Sequence, residues 1–268
     1  MEPKVSIIMA AYNCEDTIIE SIESIINQTF KDWEFIICDD GSIDNTYKII
    51  KEYESKYPNR IKAIKNDKNS KLPYSLNHCL QYARGSYIAR MDADDRCYPE
   101  RLEKQYSFMQ AHPEIDVVGT GMTCFDKESI TGKRLPVVNP SSAAIGLSVP
   151  FFHATIMMKK SVYEQLGGYS LKEHVLRCED VDLWIRFFGN GFKGANLQEA
   201  LYYVREDLGA SKRRNFKNAL NSSKTLFYGF RQYKYPLKQY IYVLKPLISV
   251  LIPQNIKYLI NQKRWRKI

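Results

Sequence analysis

The chain has 268 residues, 44% hydrophobic and 26% charged. That balance excludes a disordered or collagen-like polymer and suits one large domain or one and a half small ones. The formal net charge of +9 hides an asymmetry: residues 1–204 carry 24 Lys/Arg against 28 Asp/Glu, and residues 205–268 carry 15 against 2. The basic tail asks for a polyanionic partner or surface, and the acidic-leaning body for something else.

Six cysteines, at 14, 38, 79, 97, 124 and 178, form no C-x-x-C pair, which argues against a structural zinc site. Most lie in apolar stretches and read as buried free thiols. Met1-Glu2-Pro3-Lys4 runs into a strand-like segment with no signal-peptide pattern, so the expected compartment is reducing and cytoplasmic.

Val5 to Ala11 is a short β-branched apolar run, a buried-strand signal. Asn13 is expected to cap a helix whose stripe is Ile18, Ile22, Ile25 and Ile26. A second strand, Trp33 to Cys38, ends in the turn sequence Asp39-Asp40-Gly41-Ser42. A helix from about Asp44 to Tyr57, a strand from Ile61 to Lys65 and a helix from Pro73 to Arg84 follow, with Gly85 expected at that helix's C′ position. Ser86 to Met91 reads as a strand ending in Asp92-Ala93-Asp94-Asp95, Pro99 to Ala111 as a helix and Asp116 to Phe125 as a strand. Asp126 to Phe152 reads as irregular, Ala154 to Met158 as a strand, and Ser161 to Leu166 as a short helix stopped by Gly167-Gly168-Tyr169. Glu179 to Phe188 is an amphipathic helix, and after Tyr203 the chain turns to long, basic, Tyr-rich helices. No internal repeat or low-complexity tract is present. This alternation predicts an α/β fold, a Rossmann-like, mostly parallel sheet with helices on both faces. Ligands of such sheets sit outside the carboxyl ends of the strands. Tyr12-Asn13, Asp39-Asp40 and Asp92 to Asp95 all fall at such ends and are expected to converge on one crevice.

Asp92 and Asp94 on a tight loop after a buried strand need a counter-charge to stay ionised. A divalent cation, Mg²⁺ or Mn²⁺, would supply one, and a solvated acidic turn or helix cap before Pro99 is the plainer alternative. A carboxylate at Asp39-Asp40 can accept an N–H from a base or take a ribose hydroxyl, or merely cap the next helix. Tyr12 can stack on a flat ring or fill the core. Glu179, Asp180 and Asp182 stand at a helix N-terminus, where the dipole favours anions and where a positioned carboxylate could also act as general base.

Taken in order, VSIIMAAYN with Glu15, SIINQTF, EFIICDDGSIDNT, GSYIARMDADD, GGY and CEDVDLW resemble the family 2 glycosyltransferases of the GT-A fold, over roughly residues 3–190. The resemblance implies that Ala11, Tyr12, Glu15, Asp39 and Asp40 hold the nucleotide's base and ribose. Asp92 and Asp94 fall on the family's D-x-D, which binds ribose and, through Mn²⁺ or Mg²⁺, the diphosphate of a nucleotide sugar, with a UDP-sugar favoured. Asp180 falls on the catalytic base, with Glu179 beside it and Asp182 as a structural acid. The implied reaction is an inverting single displacement onto a saccharide hydroxyl, in bacterial capsular, exopolysaccharide or O-antigen synthesis, with a polyprenyl-linked acceptor. Ala10-Ala11 departs from the common Pro-Thr or Pro-Ala and leaves base contacts less defined. His153 stands where relatives carry a polar residue near the acceptor, or is a structural histidine. Arg205, Lys212, Arg213 and Arg214 read as a lid over the diphosphate or as a solvated basic loop.

The expected domains are residues 1–205, catalytic, and 206–268, a basic aromatic-rich helical extension. Ile241 to Ile252, broken by Lys245-Pro246, is too short to span a bilayer but suits an interfacial helix on anionic lipid. A docked helical subdomain is the plainer reading, and Lys263-Arg264-Trp265-Arg266-Lys267 leaves nucleic acid as a disfavoured third. The implied location is the inner face of the cell membrane, peripherally. Rival functions are a nucleotidyltransferase, which would want a Gly-rich, Lys/Arg-bearing loop after the first strand, and a non-catalytic module binding polysaccharide or a partner. A dinucleotide oxidoreductase lacks its G-x-G-x-x-G.

Overall fold

The computed structural model describes residues 2–126, 129–206 and 215–251. The chain divides into two compact units, each treated by itself below: Met1–Pro140, Phe151–Tyr169 and Phe192–Arg205 form the first, and Ser141–Pro150, Ser170–Gly191 and Glu206–Ile268 the second.

The first unit is built on one nine-stranded sheet. In chain order its strands are β1 (Val5–Ala11), β2 (Trp33–Asp39), β3 (Ile61–Lys65), β4 (Tyr87–Asp92), β5 (Arg96–Cys97), β6 (Val117–Asp126), β7 (Ser129–Arg134), β8 (Met157–Lys159) and β9 (Gly194–Arg205). Their spatial order is β3-β2-β1-β4-β8-β6-β9-β5, with β7 paired to β6. β3, β2, β1 and β4 run parallel, as do β6 and β9, while β8, β5 and β7 join antiparallel. β2 is buried along its whole length and β1 at all but Ala10, as interior parallel strands require, whereas β3 buries only Ile61 and Ile64 outright.

The helices of this unit are α1 (Ile18–Ile26), α2 (Thr46–Lys56), α3 (Leu72–Tyr82), α4 (Arg101–Ala111) and α5 (Lys160–Leu166). Val5, Ile7, Met9 and Ala11 of β1 share one core cluster with Ile18, Ile22 and Ile25 of α1, Ile50 of α2 and Leu102 of α4. Burying the three isoleucines of α1 contributes about 5–9 kcal/mol. Ile8 and Ile36 point to the opposite face, where Cys79 of α3 donates its thiol to the carbonyls of Met9 (3.4 Å) and Ile36 (3.6 Å).

Several local expectations shift. Asn13 does not cap α1: it takes φ 47° and spends its side-chain oxygen on Ile43 N–H, and the helix starts after Thr17. Gly85 is not a helix cap, because α3 ends at Tyr82. It lies so close to β1 that a Cβ would sit 2.6 Å from Ser6 N. The stretch 126–152 contains β7, and the strand expected over 154–158 is a 3₁₀ turn at His153–Thr155 followed by β8. β9 spans Gly194–Arg205, to most of which the sequence assigns no element, and its end overruns the point after Tyr203 where helices are expected. All six cysteines are free.

The second unit is helical. It holds 3₁₀ turns at Ser142–Ala144 and Glu173–Val175, α6 (Glu179–Gly189), α7 (Phe216–Gln232), a 3₁₀ segment at Leu237–Leu244 and α8 (Lys245–Leu251). α6 and α7 interlock through small residues: a Cβ on Gly229 would meet Ile185 at 2.8 Å. Tyr235 stacks on Phe230 with centroids 4.9 Å apart and donates its hydroxyl to Ile185 O at 3.0 Å. Thr225 donates to His174 O (2.8 Å), and Gln239 to Ser142 O (3.1 Å). Among the described residues no helix is long and apolar enough to cross a membrane.

Candidate functional site

The parallel register sets Ala11 beside Asp39 and Ala10 beside Asp92, so the carboxyl ends of β1, β2 and β4 lie side by side. The three polar clusters of the first unit therefore share one edge of the sheet.

The loops after β1 and β2 are laced together. Asn13 N–H donates to Ser42 Oγ (3.0 Å) and Cys14 N–H to Thr46 Oγ1 (2.8 Å). Glu15 N–H donates to Asp44 Oδ2 (3.2 Å), while Glu15 Oε2 accepts from Asn45 N (3.0 Å) and Nδ2 (2.7 Å). Burial pushes the Asp44 carboxyl up, but its hydrogen bonds from Thr46 and Glu15 together outweigh that and hold it below the usual carboxylate range. Tyr12 stands half-exposed between these loops' ends, and Ala11 is buried with its carbonyl taken by Asp40 N–H (2.8 Å).

Asp39 is fully buried. Its Oδ2 accepts Ser42 N–H at 3.2 Å and lies 4.0 Å from Lys65 Nζ, and its Oδ1 has no hydrogen-bond partner among the described residues. A buried carboxylate oxygen left in that state is costly unless a ligand donor meets it. Asp40 is the opposite: Oδ1 accepts from Asn66 Nδ2 and Ser70 N (both 2.8 Å), and Oδ2 from Lys71 N (2.9 Å). It shapes the loop that brings Lys68 against Gly41, where φ is +74° and a Cβ would meet Lys68 C at 2.7 Å.

The carboxylates after β4 have three different surroundings. Asp92 Oδ1 pairs with the buried Arg90 guanidinium at 2.8 Å, and its N–H donates to Tyr202 Oη at 3.1 Å. Asp94 is exposed, and its carbonyl accepts Arg205 Nε at 3.0 Å. Asp95 is buried and accepts Arg205 N–H at 2.8 Å. Burial first, and the charges of Asp92 and Asp94 next, drive it well above the usual carboxylate range. Asp92, Asp94 and Asp95 are thus crowded onto one tight loop, a setting that a cation would relieve. Among the described residues no group of three His, Cys, Asp or Glu is arranged to enclose a metal. One or two carboxylates that leave positions open for phosphate oxygens is the arrangement magnesium-type ions use.

Arg90, Tyr202 and Arg205 define this loop, yet the sequence singles out only Arg205, as a lid or as part of a solvated basic loop. It is instead anchored, donating also to Glu20 Oε2 at 2.9 Å. Lys212, Arg213 and Arg214 lie outside the described residues. An arginine inside the apolar run before Asp92 was the available signal for Arg90. His153 pairs through Nε2 with Tyr169 Oη at 3.0 Å, which in turn meets Tyr163 Oη at 3.1 Å. Loss of water, then the Arg90 charge, push His153 well below its usual value, so the ring is neutral near pH 7.

In the second unit, Glu179 and Asp180 open α6, as the sequence suggests, and both are partly buried. Asp180 Oδ1 accepts its neighbour Val181 N–H at 2.8 Å. Asp182 pairs with Arg186 one turn on (Oδ2 to Nε 2.7 Å), a structural acid. The acids contribute to raising the Cys178 thiol to about 11, although burial is the larger cause. Trp265 and the basic cluster 263–267 lie outside the described residues.

A family model described as glycosyl transferase family 2 matches residues 6–176. The chain is 48% identical over 262 residues to the glycosyltransferase named EpsE of Bacillus subtilis (strain 168), covering 98% of this chain and 94% of that protein. It is 30% identical over 232 residues to an Escherichia coli protein named UDP-Glc:alpha-D-GlcNAc-diphosphoundecaprenol beta-1,3-glucosyltransferase WfaP, covering 83% and 85%. Among solved structures, the mannosyltransferase PcManGT of Pyrobaculum calidifontis, in complex with GDP-Man and Mn²⁺, aligns with a TM-score of 0.67 at 15% identity, over 98% of this chain and 80% of that one. That likeness is one of fold, the GT-A fold with added C-terminal helices.

Proposed function

The chain belongs to glycosyl transferase family 2 and is a glycosyltransferase, and from that premise we propose that it moves a sugar from a nucleotide diphosphate sugar to a hydroxyl of a lipid-linked saccharide during cell-surface polysaccharide synthesis. The observation that carries the donor reading is the edge shared by β1, β2 and β4, where a buried Asp39 oxygen lacks a donor among the described residues and the acidic loop of Asp92, Asp94 and Asp95 stands beside it.

In this reading Asp39 accepts an N–H of the base, Tyr12 stacks on its ring, and Ala11 and Glu15 shape the wall. Asp40 is a positioning residue. Asp92 takes a ribose hydroxyl, and Asp94, with Asp92, would hold Mn²⁺ or Mg²⁺. Once bound, such an ion neutralises charge on the departing diphosphate. Asp180, at the N-terminus of α6 with Glu179 beside it, accepts the proton of the acceptor hydroxyl. That oxygen bonds to the anomeric carbon as its bond to the nucleoside diphosphate breaks, with inversion. His153, neutral, is the residue we place nearest the acceptor. The name of the Escherichia coli relative, a diphosphoundecaprenol glucosyltransferase, favours a polyprenyl-linked acceptor and a UDP-sugar donor.

We place the enzyme peripherally on an anionic membrane surface. Leu237, Ile241, Leu244, Ile248 and Leu251 are all exposed and recur every three or four residues, with Lys234, Lys238 and Lys245 exposed beside them. An apolar stripe with cationic flanks suits anionic lipid.

The donor reading is tested by thermal shift with nucleoside diphosphates and nucleotide sugars, each with Mn²⁺ or EDTA. A ligand at 100 times its Kd adds about 2.7 kcal/mol of stability. We expect a metal-dependent rise with one nucleotide, lost in Asp94→Ala and kept in Asp180→Ala, with transfer lost in both. No rise with any nucleotide at millimolar concentration would overturn it.

A further inference from the structure

The second unit contains a cleft of about 620 Å³ that the donor and base assignments do not use. Its volume lies in the range of small-molecule sites. Part of its lining is cationic and polar, with Arg177, Asn215, Asn218, Ser222 and Lys245, and part is apolar, with Val149, Pro246 and Val250. Among the described residues no carboxylate lines it.

Three features give the polar part a positive potential. α7, 17 residues long, begins here: Asn215 Oδ1 caps it by accepting Asn218 N–H at 2.9 Å, which puts the positive end of the helix dipole at the cleft. Lys245 is fixed by donating to the carbonyls of Gly146 (3.0 Å) and Leu147, which hold its ammonium at the lining. Arg177 sits at φ 66°, a left-handed conformation that non-glycine residues rarely adopt and that its surroundings must hold. It is also three residues before Asp180.

α8 divides its faces. Lys245, Pro246, Ser249 and Val250 line the cleft, while Ile248 and Leu251 are exposed and continue the exposed Leu244 of the preceding 3₁₀ segment. The same short helix thus joins a cationic cleft to an exposed apolar stripe. That juxtaposition fits a ligand with an anionic head and an apolar chain.

We propose that this cleft binds a phosphate or diphosphate group esterified to an apolar chain, the head meeting Arg177, Lys245 and the first turn of α7, and the first carbons lying on Val149, Pro246 and Val250. The proposal rests on the lipid-linked acceptor reading above and supplies the part of that acceptor which the saccharide does not. A phospholipid headgroup has the same chemistry and would enter the same way.

The test is calorimetric titration of the full chain in EDTA with geranyl diphosphate, with inorganic pyrophosphate as the head alone. We expect geranyl diphosphate to bind more tightly than pyrophosphate. The double variant Arg177→Asn, Lys245→Gln should weaken it at least tenfold, since a charge-assisted contact is worth about that much. Asparagine tolerates the left-handed backbone, so the first change removes charge without new strain. Arg177→Lys should retain most of the affinity. Ser249→Asp, which sets a like charge in the lining, should weaken binding as well and keeps the test decisive if the double variant fails to fold. Unchanged affinity in both charge variants would overturn the proposal. Competition by phosphatidylglycerol vesicles would identify the bilayer headgroup as the source, and its absence the polyprenyl carrier. The nucleotide-dependent thermal shift reports separately on the donor reading: its loss with geranyl diphosphate binding intact removes that reading and leaves the cleft.

Discussion

The two carboxylates that close β2 divide their oxygens differently, and their substitution should separate binding from stability. Asp40 spends both oxygens on three protein donors, and Asp39 leaves one buried oxygen without any. Asp39→Asn replaces an acceptor with a donor at the unpaired position while Ser42 N–H can still be met by the amide oxygen. We expect nucleotide affinity to fall about tenfold or more with the melting temperature unchanged or raised. Asp40→Asn turns an amide NH₂ toward N–H donors and should cost about 1–3 kcal/mol of stability. Equal nucleotide affinity in Asp39→Asn and wild type would sink the binding role. Sequence located this pair but could not divide it, because the loop donors at Ser70 and Lys71 reach Asp40 across 30 and 31 residues of chain. Likewise Asp92 and Asp94 stood out by their spacing, while Tyr202 and Arg205, which arrange them, are 110 and 111 residues away.

At the scale of elements, legibility followed how local each signal was. β1, β2 and β4 are mostly apolar runs, and α1 has a clean isoleucine stripe, so both types could be read from short windows. β9 could not. Its sequence GANLQEALYYVR has no two-residue alternation of burial, it includes residues that disfavour strands, and its pairing with β6 shifts register near Gly119 and Gly121. Only a partner strand some 70 residues earlier makes it a strand. α4 was visible by pattern, yet its first residue does more than the pattern says. The Arg101 guanidinium is fully buried and donates to Arg90 O (2.8 Å), Ile156 O (3.3 Å) and Gln105 Oε1 (3.0 Å), with the Tyr202 ring 5.0 Å away. Arg101→Met would leave those carbonyls unmet and should lower unfolding free energy by about 2–4 kcal/mol in urea titration. A change below about 0.5 kcal/mol, the range of ordinary surface substitutions, would show that water or repacking replaces the arginine.

Over the whole molecule, charge is segregated along the chain, net −4 to residue 204 and +13 after it. Attraction of the basic part to anionic lipid should be strong at low salt and screened as the Debye length falls from about 10 Å at 0.1 M toward 3 Å at 1 M. We expect cosedimentation with phosphatidylglycerol vesicles that drops steeply by 0.5 M salt, little with phosphatidylcholine, and loss on Leu244→Glu with Ile248→Glu. Equal partition to both vesicle types, or indifference to the glutamates, would refute the membrane assignment. The sequence showed the charge and the apolar residues of this segment. It could not show which residues face outward, since that depends on α7, Ser142–Ala144 and the Gly146–Leu147 carbonyls against which the segment packs.

The distance in chain between Asp92 and its partner Tyr202 also sets an order of events during synthesis. A ribosome adding about 5–20 residues per second needs roughly 5–20 s to make the intervening stretch. Throughout that interval β1, β2 and β4 can already be assembled, while the acidic loop lacks the hydroxyl and the guanidinium that fix it. The nascent chain thus holds its most highly charged turn unfinished until β9 threads in beside β6. An incomplete chain is therefore not a weaker enzyme but one whose acidic loop has not yet been built.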